Sequence, residues 1–347
     1  VRAPPRSVGA AALVGGLWFT AVAALTVVGV HVAARFQKVM TGIEALALLV
    51  LAVAAFLKFS ANPVQSFDLA WFSPTAFPDL DIFMGGMLVA VFYYFGWDVS
   101  SNVAEEAQGA GESGGASGVY GMVGVMVLFV LIQTAVQMGM TAEAVAENSA
   151  SLLSALGDAV LPRPWGTLAI LAVILSTVGT IETQLTQCAR LLFSMGRDEV
   201  MHKGFAEVHP RFLTPWLAGV MIWALSILLL VASTASESIH GVMSSLISAI
   251  GVMVSIYYGL TGLACVWYYR KTLTQSAGSL VMRGLWPGLS ALFLLFLGAR
   301  QLPDLGTTVG ALTLGTLALG GVPLVYFRWK QGPDFYRSAL EHHPGAP

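Results

Sequence analysis

Three carboxylates sit inside stretches of chain that are otherwise oily: Asp98 in VFYYFGWDVSSN, Glu182 in VILSTVGTIETQL and Glu44 in MTGIEALALLVL. An ionisable side chain in an apolar span is costly, and such residues collect where ions, protons or charged ligands are handled. Carboxylates in that setting suit a proton, an alkali cation or an ammonium group.

Asp98 has the most suggestive neighbours. The run FMGGMLVAVFYY before it is apolar helix without a break, and then come Gly96, Trp97 and Asp98, followed by Ser100, Ser101 and Asn102. Glycine costs about 1 kcal/mol against alanine inside a helix. Beside a carboxylate and a set of small polar side chains it predicts an unwound segment. Freed backbone groups are tolerated at membrane depth only where they face protein or a water-filled cavity, and discontinuous helices of this kind hold small-molecule sites. The competing reading is a polar helix end with Asp98 near the interface.

Around Glu182 lie Ser176, Thr177, Thr180, Thr183, Gln184 and Thr186. Ser176, Thr180 and Thr183 share a helix face, with Gln184 one turn from Thr180. Such a stripe either lines a cavity able to hold a cation or proton, or forms a hydrogen-bonded seam between helices. Glu44 follows Arg35, Lys38 and Thr41. Its simpler reading is an interfacial carboxylate paired with Lys38 or with a helix N-terminus, worth a few tenths to about 1 kcal/mol. Phe92, Tyr93, Tyr94, Phe95 and Trp97 either cap a pocket or pack. Tyr257-Tyr258 and Trp267-Tyr268-Tyr269 read as including interfacial belt residues.

Several chemistries have no signature here. The sequence contains no GxxxxGK[ST], HExxH or Gly-x-Ser-x-Gly motif. The glycine-rich stretch 109–118 has no following lysine and reads as a flexible loop rather than a phosphate cradle. No nucleophile–base or metal-ligand pair stands at catalytic spacing, so neither an enzyme nor a metal or other cofactor is expected. The six histidines form no ligand-spaced cluster, and His342-His343 reads as a solvated tail or a weak metal site. Cys188 and Cys265 lie in apolar runs and read as small buried residues. A net charge of −2 gives no case for nucleic acid.

What must position these residues is a stack of membrane helices. The 347 residues are 56% hydrophobic and only 10% charged, with mean hydropathy +0.75. Soluble domains carry about a quarter charged residues, so lipid must solvate much of this surface. The predicted fold is an all-α polytopic membrane protein of about nine transmembrane helices, near 9–30, 39–57, 81–104, 118–140, 165–195, 216–234, 241–268, 284–300 and 306–328. Residues 1–8, with Arg2 and Arg6, do not read as a cleaved signal peptide. Loops on one side hold 12 Lys/Arg and those on the other 5. The richer side is expected to be cytoplasmic, which puts the C-terminus inside a plasma membrane and the N-terminus outside.

Three segments then carry a resemblance. FYYFGWDVSSNVAEEA (92–107), ARLLFSMGRDEVMHKGFAEVHPRFLTPWLAG (189–219) and GVHVAARFQKV (29–39) are similar, in order and spacing, to stretches of the amino acid–polyamine–organocation permease superfamily. The resemblance implies the inverted-repeat transporter fold, here partial. The chain would correspond to the family's spans four to twelve and lack the first three. Residues 9–57 would end the first repeat and 81–268 would form the second. Two further helices would span 284–328, with a cytoplasmic tail from 329 to 347. It implies an aromatic gate at Phe92, and an unwound segment at Tyr94, Phe95 and Gly96 whose carbonyls meet a substrate ammonium. Asp98 would lie at an acidic or polar gating position just beyond it, and Trp97, between Gly96 and Asp98, is a further candidate for the substrate site. Ser176, Thr177, Thr180 and Glu182 would lie where relatives hold sodium or its substitute. Glu44 would stand where some proton-coupled relatives carry lysine, a departure from their pattern.

The expected function is therefore secondary transport of an amino acid, amine or polyamine across the bilayer by alternating access, with H+ or Na+ as possible coupling ion. The alternative is a truncated membrane sensor or partner subunit that does not transport.

Overall fold

A computed structural model describes residues 8–28, 30–104, 110–149, 151–162, 164–235 and 239–332. In chain order the helices are α1 (Val8–Val28), α2 (Val30–Phe59), α3 (Leu80–Tyr93), α4 (Val99–Asn102), α5 (Ala110–Gly139), α6 (Ala142–Glu147), α7 (Leu152–Val160), α8 (Leu168–Arg197), α9 (Trp216–Ser233), α10 (Ile239–Tyr269), α11 (Ala277–Ser279), α12 (Trp286–Gln301) and α13 (Gly306–Gln331). No β-strand occurs among the described residues.

Among the described residues, seven helical stretches are long and apolar enough to cross a bilayer. The last of them, Ala277–Gln331, holds both α12 and α13, and α3 is a shorter apolar helix. Each of the nine expected spans thus has its counterpart in described helix, the third as α3 and α4 with a break between them. Large apolar side chains face outward along them: Leu17 is 67% exposed, Leu229 70% and Leu319 70%. Surface of that kind is stable only against lipid or another apolar body. The chain is a multi-pass membrane protein.

The contacts divide the chain into two units. The first takes the chain up to Phe72, Gly96–Arg197 and the stretch from His202 through α9. Within it α8 packs on α1, α2, α4, α7 and α9, and α2 packs on α5. Leu51, Ala55 and Phe59 of α2 meet Ala135, Val136 and Met138 of α5, with Leu156 of α7 and Ala169 of α8 closing the cluster. The second unit takes Ser73–Phe95, Asp198–Met201 and the described chain from α10 onward. Its core is Met84 and Leu88 of α3, Val252 of α10 and Leu297 of α12.

Local chemistry explains several helix ends. Asp79 caps α3, its Oδ1 accepting from the Ile82 amide at 2.8 Å, and Thr141 caps α6 through the Ala144 amide. Ahead of Pro287, residues Leu280–Leu285 wind as a π-helix. Proline supplies no N–H to the regular ladder there, and the wider turn is one way to accommodate that.

The structure departs from the sequence reading in three places. From Ala110 onward the glycine-rich stretch is not a loop but the first turns of α5. The long apolar run behind it drives the helix, and the small residues let α4 approach. A Cβ on Gly118 would come within 3.2 Å of Ser100 Oγ and 3.4 Å of the Trp97 carbonyl. Helix α2 begins at Val30 rather than near residue 39. The connection after α5 carries two short helices, α6 and α7, of six and nine residues, too short to show as twenty-residue apolar runs. His342-His343 lies outside the described residues.

Candidate functional site

The third span is interrupted. Helix α3 ends at Tyr93 with Tyr94 as its cap. The Tyr94 amide donates to Ala90 O at 3.0 Å and the Phe95 amide to Phe92 O at 3.2 Å. Gly96 then takes φ +113°, a backbone conformation that L side chains rarely adopt. The helix resumes only as the four-residue α4, where the Val99 amide donates to Gly96 O at 3.2 Å. Residues Tyr94–Asp98 thus leave the regular ladder within an otherwise apolar span.

Asp98 heads α4 yet does not cap it, since its side chain accepts no bond from the α4 amides. The carboxylate instead turns toward α8. Oδ2 accepts from Gln187 Nε2 at 2.6 Å and from Asn102 Nδ2 at 3.3 Å. Asp98 is 6% exposed and Gln187 5%. This is a buried bond between two polar side chains, in a setting where unpaired polar groups are expensive. One turn earlier on α8, Gln184 Nε2 lies 3.7 Å from where a Cβ on Gly96 would sit.

In the second unit, Phe92 packs on Tyr93 with ring centroids 5.9 Å apart, and Phe95 packs on Tyr258 of α10 at 6.2 Å. Tyr258 therefore packs within its unit and is not simply a belt residue. Trp97 is 41% exposed.

A second polar feature lies along α2 and α8. Glu44 and Leu48 of α2, Leu153 of α7, and Ser176, Thr177 and Thr180 of α8 line a cavity of about 390 Å³. With α2 starting at Val30, Glu44 stands fourteen residues into its helix. That removes the reading in which a helix N-terminus stabilises it, and no ion pair joins it to Lys38 among the described residues. Gln37 of α2 donates to Thr183 Oγ1 of α8.

Both α2 and the candidate residues belong to a known kind of chain. A family model described as amino acid permease matches residues 9–312. This chain belongs to the amino acid permease family. No individual curated protein matches it. Amino acid permeases carry small molecules across a bilayer, so the chain is a membrane transporter in general terms.

Within this permease the structure brings together Glu44, Ser176, Thr177 and Thr180, but not Glu182. Glu182 is 6% exposed and lies on the packed face of α8 that also buries Val178, Leu185 and Ala189. Its only hydrogen bond among the described residues is from Thr186 Oγ1 to Oε1, at 3.5 Å, and Oε2 is buried without a partner. Six residues at about 100° each place Glu182 about 120° from Ser176 around the helix, so it cannot share the cavity stripe. Gln187 escaped the sequence reading, although eleven residues return it to within about 20° of Ser176. Cys188 and Cys265 are both free thiols.

Proposed function

We propose that this permease is a secondary active transporter of an amino acid or a related amine, working by alternating access. The segment Phe92, Tyr94, Phe95, Gly96, Trp97 and Asp98 is its substrate-binding stretch. One observation carries the reading: a membrane helix stops at Tyr93 and restarts at Val99, and a buried carboxylate stands at the restart. Backbone carbonyls released from a helical ladder attract ammonium groups, and a carboxylate beside them adds to that attraction. The buried acidic Asp98 at this turn tilts the substrate toward a cationic amine or polyamine.

The cavity along α2 and α8 is the coupling site in this reading. The Glu44 carboxylate and the hydroxyls of Ser176, Thr177 and Thr180 are hard oxygen donors suited to a proton or Na+. The excess of Lys/Arg on one side supports a plasma-membrane orientation with the C-terminus cytoplasmic. Residues 9–57 are the end of one repeat and 81–268 the other, followed by helices over 284–328.

The test is uptake of labelled lysine, leucine and putrescine by proteoliposomes holding the full-length protein, with and without a pH or sodium gradient. Saturable entry of at least one probe, accelerated by the same unlabelled compound inside, is the expected result. Entry of every probe at the rate of empty vesicles overturns the reading.

A further inference from the structure

We propose that Asp98 and Gln187 form a two-acceptor subsite for a cationic N–H donor group, with Gln187 as the residue that positions the carboxylate. The inference rests on the reading of Phe92–Asp98 as the substrate stretch and adds to it a side-chain subsite on α8.

The Gln187 amide donates from Nε2 to Asp98 Oδ2 at 2.6 Å. The opposite atom, Oε1, is then an acceptor. It is fully buried and has no hydrogen-bond partner among the described residues. Buried acceptors are nearly always satisfied, and those that are not mark places where a ligand or water supplies the donor. The bond from Gln187 therefore does two things. It pins the Asp98 carboxylate against α8 rather than leaving it to cap α4. It also sets an amide oxygen beside that carboxylate. One negative and one neutral acceptor side by side suit a group with several N–H donors and positive charge, an ammonium or guanidinium, and reject an acidic or purely apolar head. Gln184, one turn earlier on α8, lies 3.7 Å from where a Cβ on Gly96 would sit, so two glutamines on one helix flank the Gly96–Asp98 turn.

The experiment compares KM and Vmax for labelled lysine, putrescine and leucine in the full-length protein, normalised to inserted protein. Four variants are used: Gln187→Met, Gln187→Asn, Asp98→Asn and the exchange Asp98→Gln with Gln187→Glu. Loss of a hydrogen bond to a charged group predicts that Gln187→Met raises KM for lysine and putrescine about tenfold or more. Leucine KM should stay within about twofold, because leucine offers no side-chain donor to lose. Gln187→Asn, shorter by one methylene, gives the same selectivity change where the apolar variant fails to insert. The exchange variant, which keeps one carboxylate and one amide, recovers most of the lysine affinity. A uniform fall in Vmax on all three probes with KM unchanged shows a packing role and overturns the inference. So does a wild type that transports leucine alone, which leaves the transport reading standing. Asp98→Asn without effect on any probe takes down the substrate stretch itself.

Discussion

Asp98 turns its carboxylate away from the helix it heads and onto Gln187, whose side-chain amide donates to it at 2.6 Å. A hydrogen bond to a charged group contributes about 1.5–3 kcal/mol, and stranding the charge costs more. This buried bond ties the short helix α4 to α8, while Asn102, in α4 itself, donates a longer bond to the same carboxylate oxygen. A permease that rearranges at this turn has to break or carry that bond with it.

The Gly96 turn depends on its backbone more than on its space. A Cβ there would meet only Gln184 Nε2 at 3.7 Å, ordinary contact, while φ is +113°. Gly96→Ala should therefore lower stability by about 1–3 kcal/mol through strain alone. Gly96→Ser should cost about the same, since neither residue suits that conformation. Thermal melts of the detergent-purified variants read this directly. A Gly96→Ala melt identical to wild type would show that the break does not need its left-handed residue.

Glu44 and Glu182 are both carboxylates inside spans, but only Glu44 lines the cavity with Ser176, Thr177 and Thr180. Glu44→Gln is expected to abolish accumulation driven by a pH or sodium gradient while exchange of internal for external substrate persists. Glu182→Gln is expected to keep gradient-driven accumulation, because that side chain is buried on another face of α8. Proteoliposome uptake with and without each gradient separates the two. The opposite pattern would move the coupling site away from the cavity.

How much of this was legible in the residues differs from feature to feature. Lipid demands apolar side chains and closed backbone ladders, so the nine runs and the polar break at Gly96-Trp97-Asp98 stand out from composition alone. The partner of Asp98 does not, because Gln187 lies 89 residues along the chain and only tertiary packing brings it there. The position of Glu182 was readable from helical periodicity but was obscured by the hydroxyl-rich residues beside it. Helix α7 is nine residues long and owes its place to Leu156, which is fully buried against α2 and α5. Burial of that sort has no twenty-residue signature. The glycines of α5 argue locally for a loop, and the helix forms because its later residues and its contact with α4 outweigh them.

Outside the spans, Glu143 in the first turn of α6 has its carboxyl held below the usual 4.5 by its own backbone amide and then by the Thr141 hydroxyl. A depressed carboxyl adds stability above its unfolded pKa and loses it as pH falls through the folded one. Wild type should therefore melt slightly above Glu143→Gln at neutral pH, and the gap should close as pH drops below about 4.5. Melts from pH 3 to 7 check this. A gap that is constant with pH would mean the carboxylate is not the stabilising form.

The most direct measurement is uptake of labelled lysine, leucine and putrescine by membranes in which wild type, Asp98→Asn and Phe92→Ala have been shown to insert equally. If Phe92–Asp98 is the substrate stretch, both variants lose saturable uptake of the probes that wild type carries. Unchanged uptake kinetics in both, at equal insertion, would contradict it.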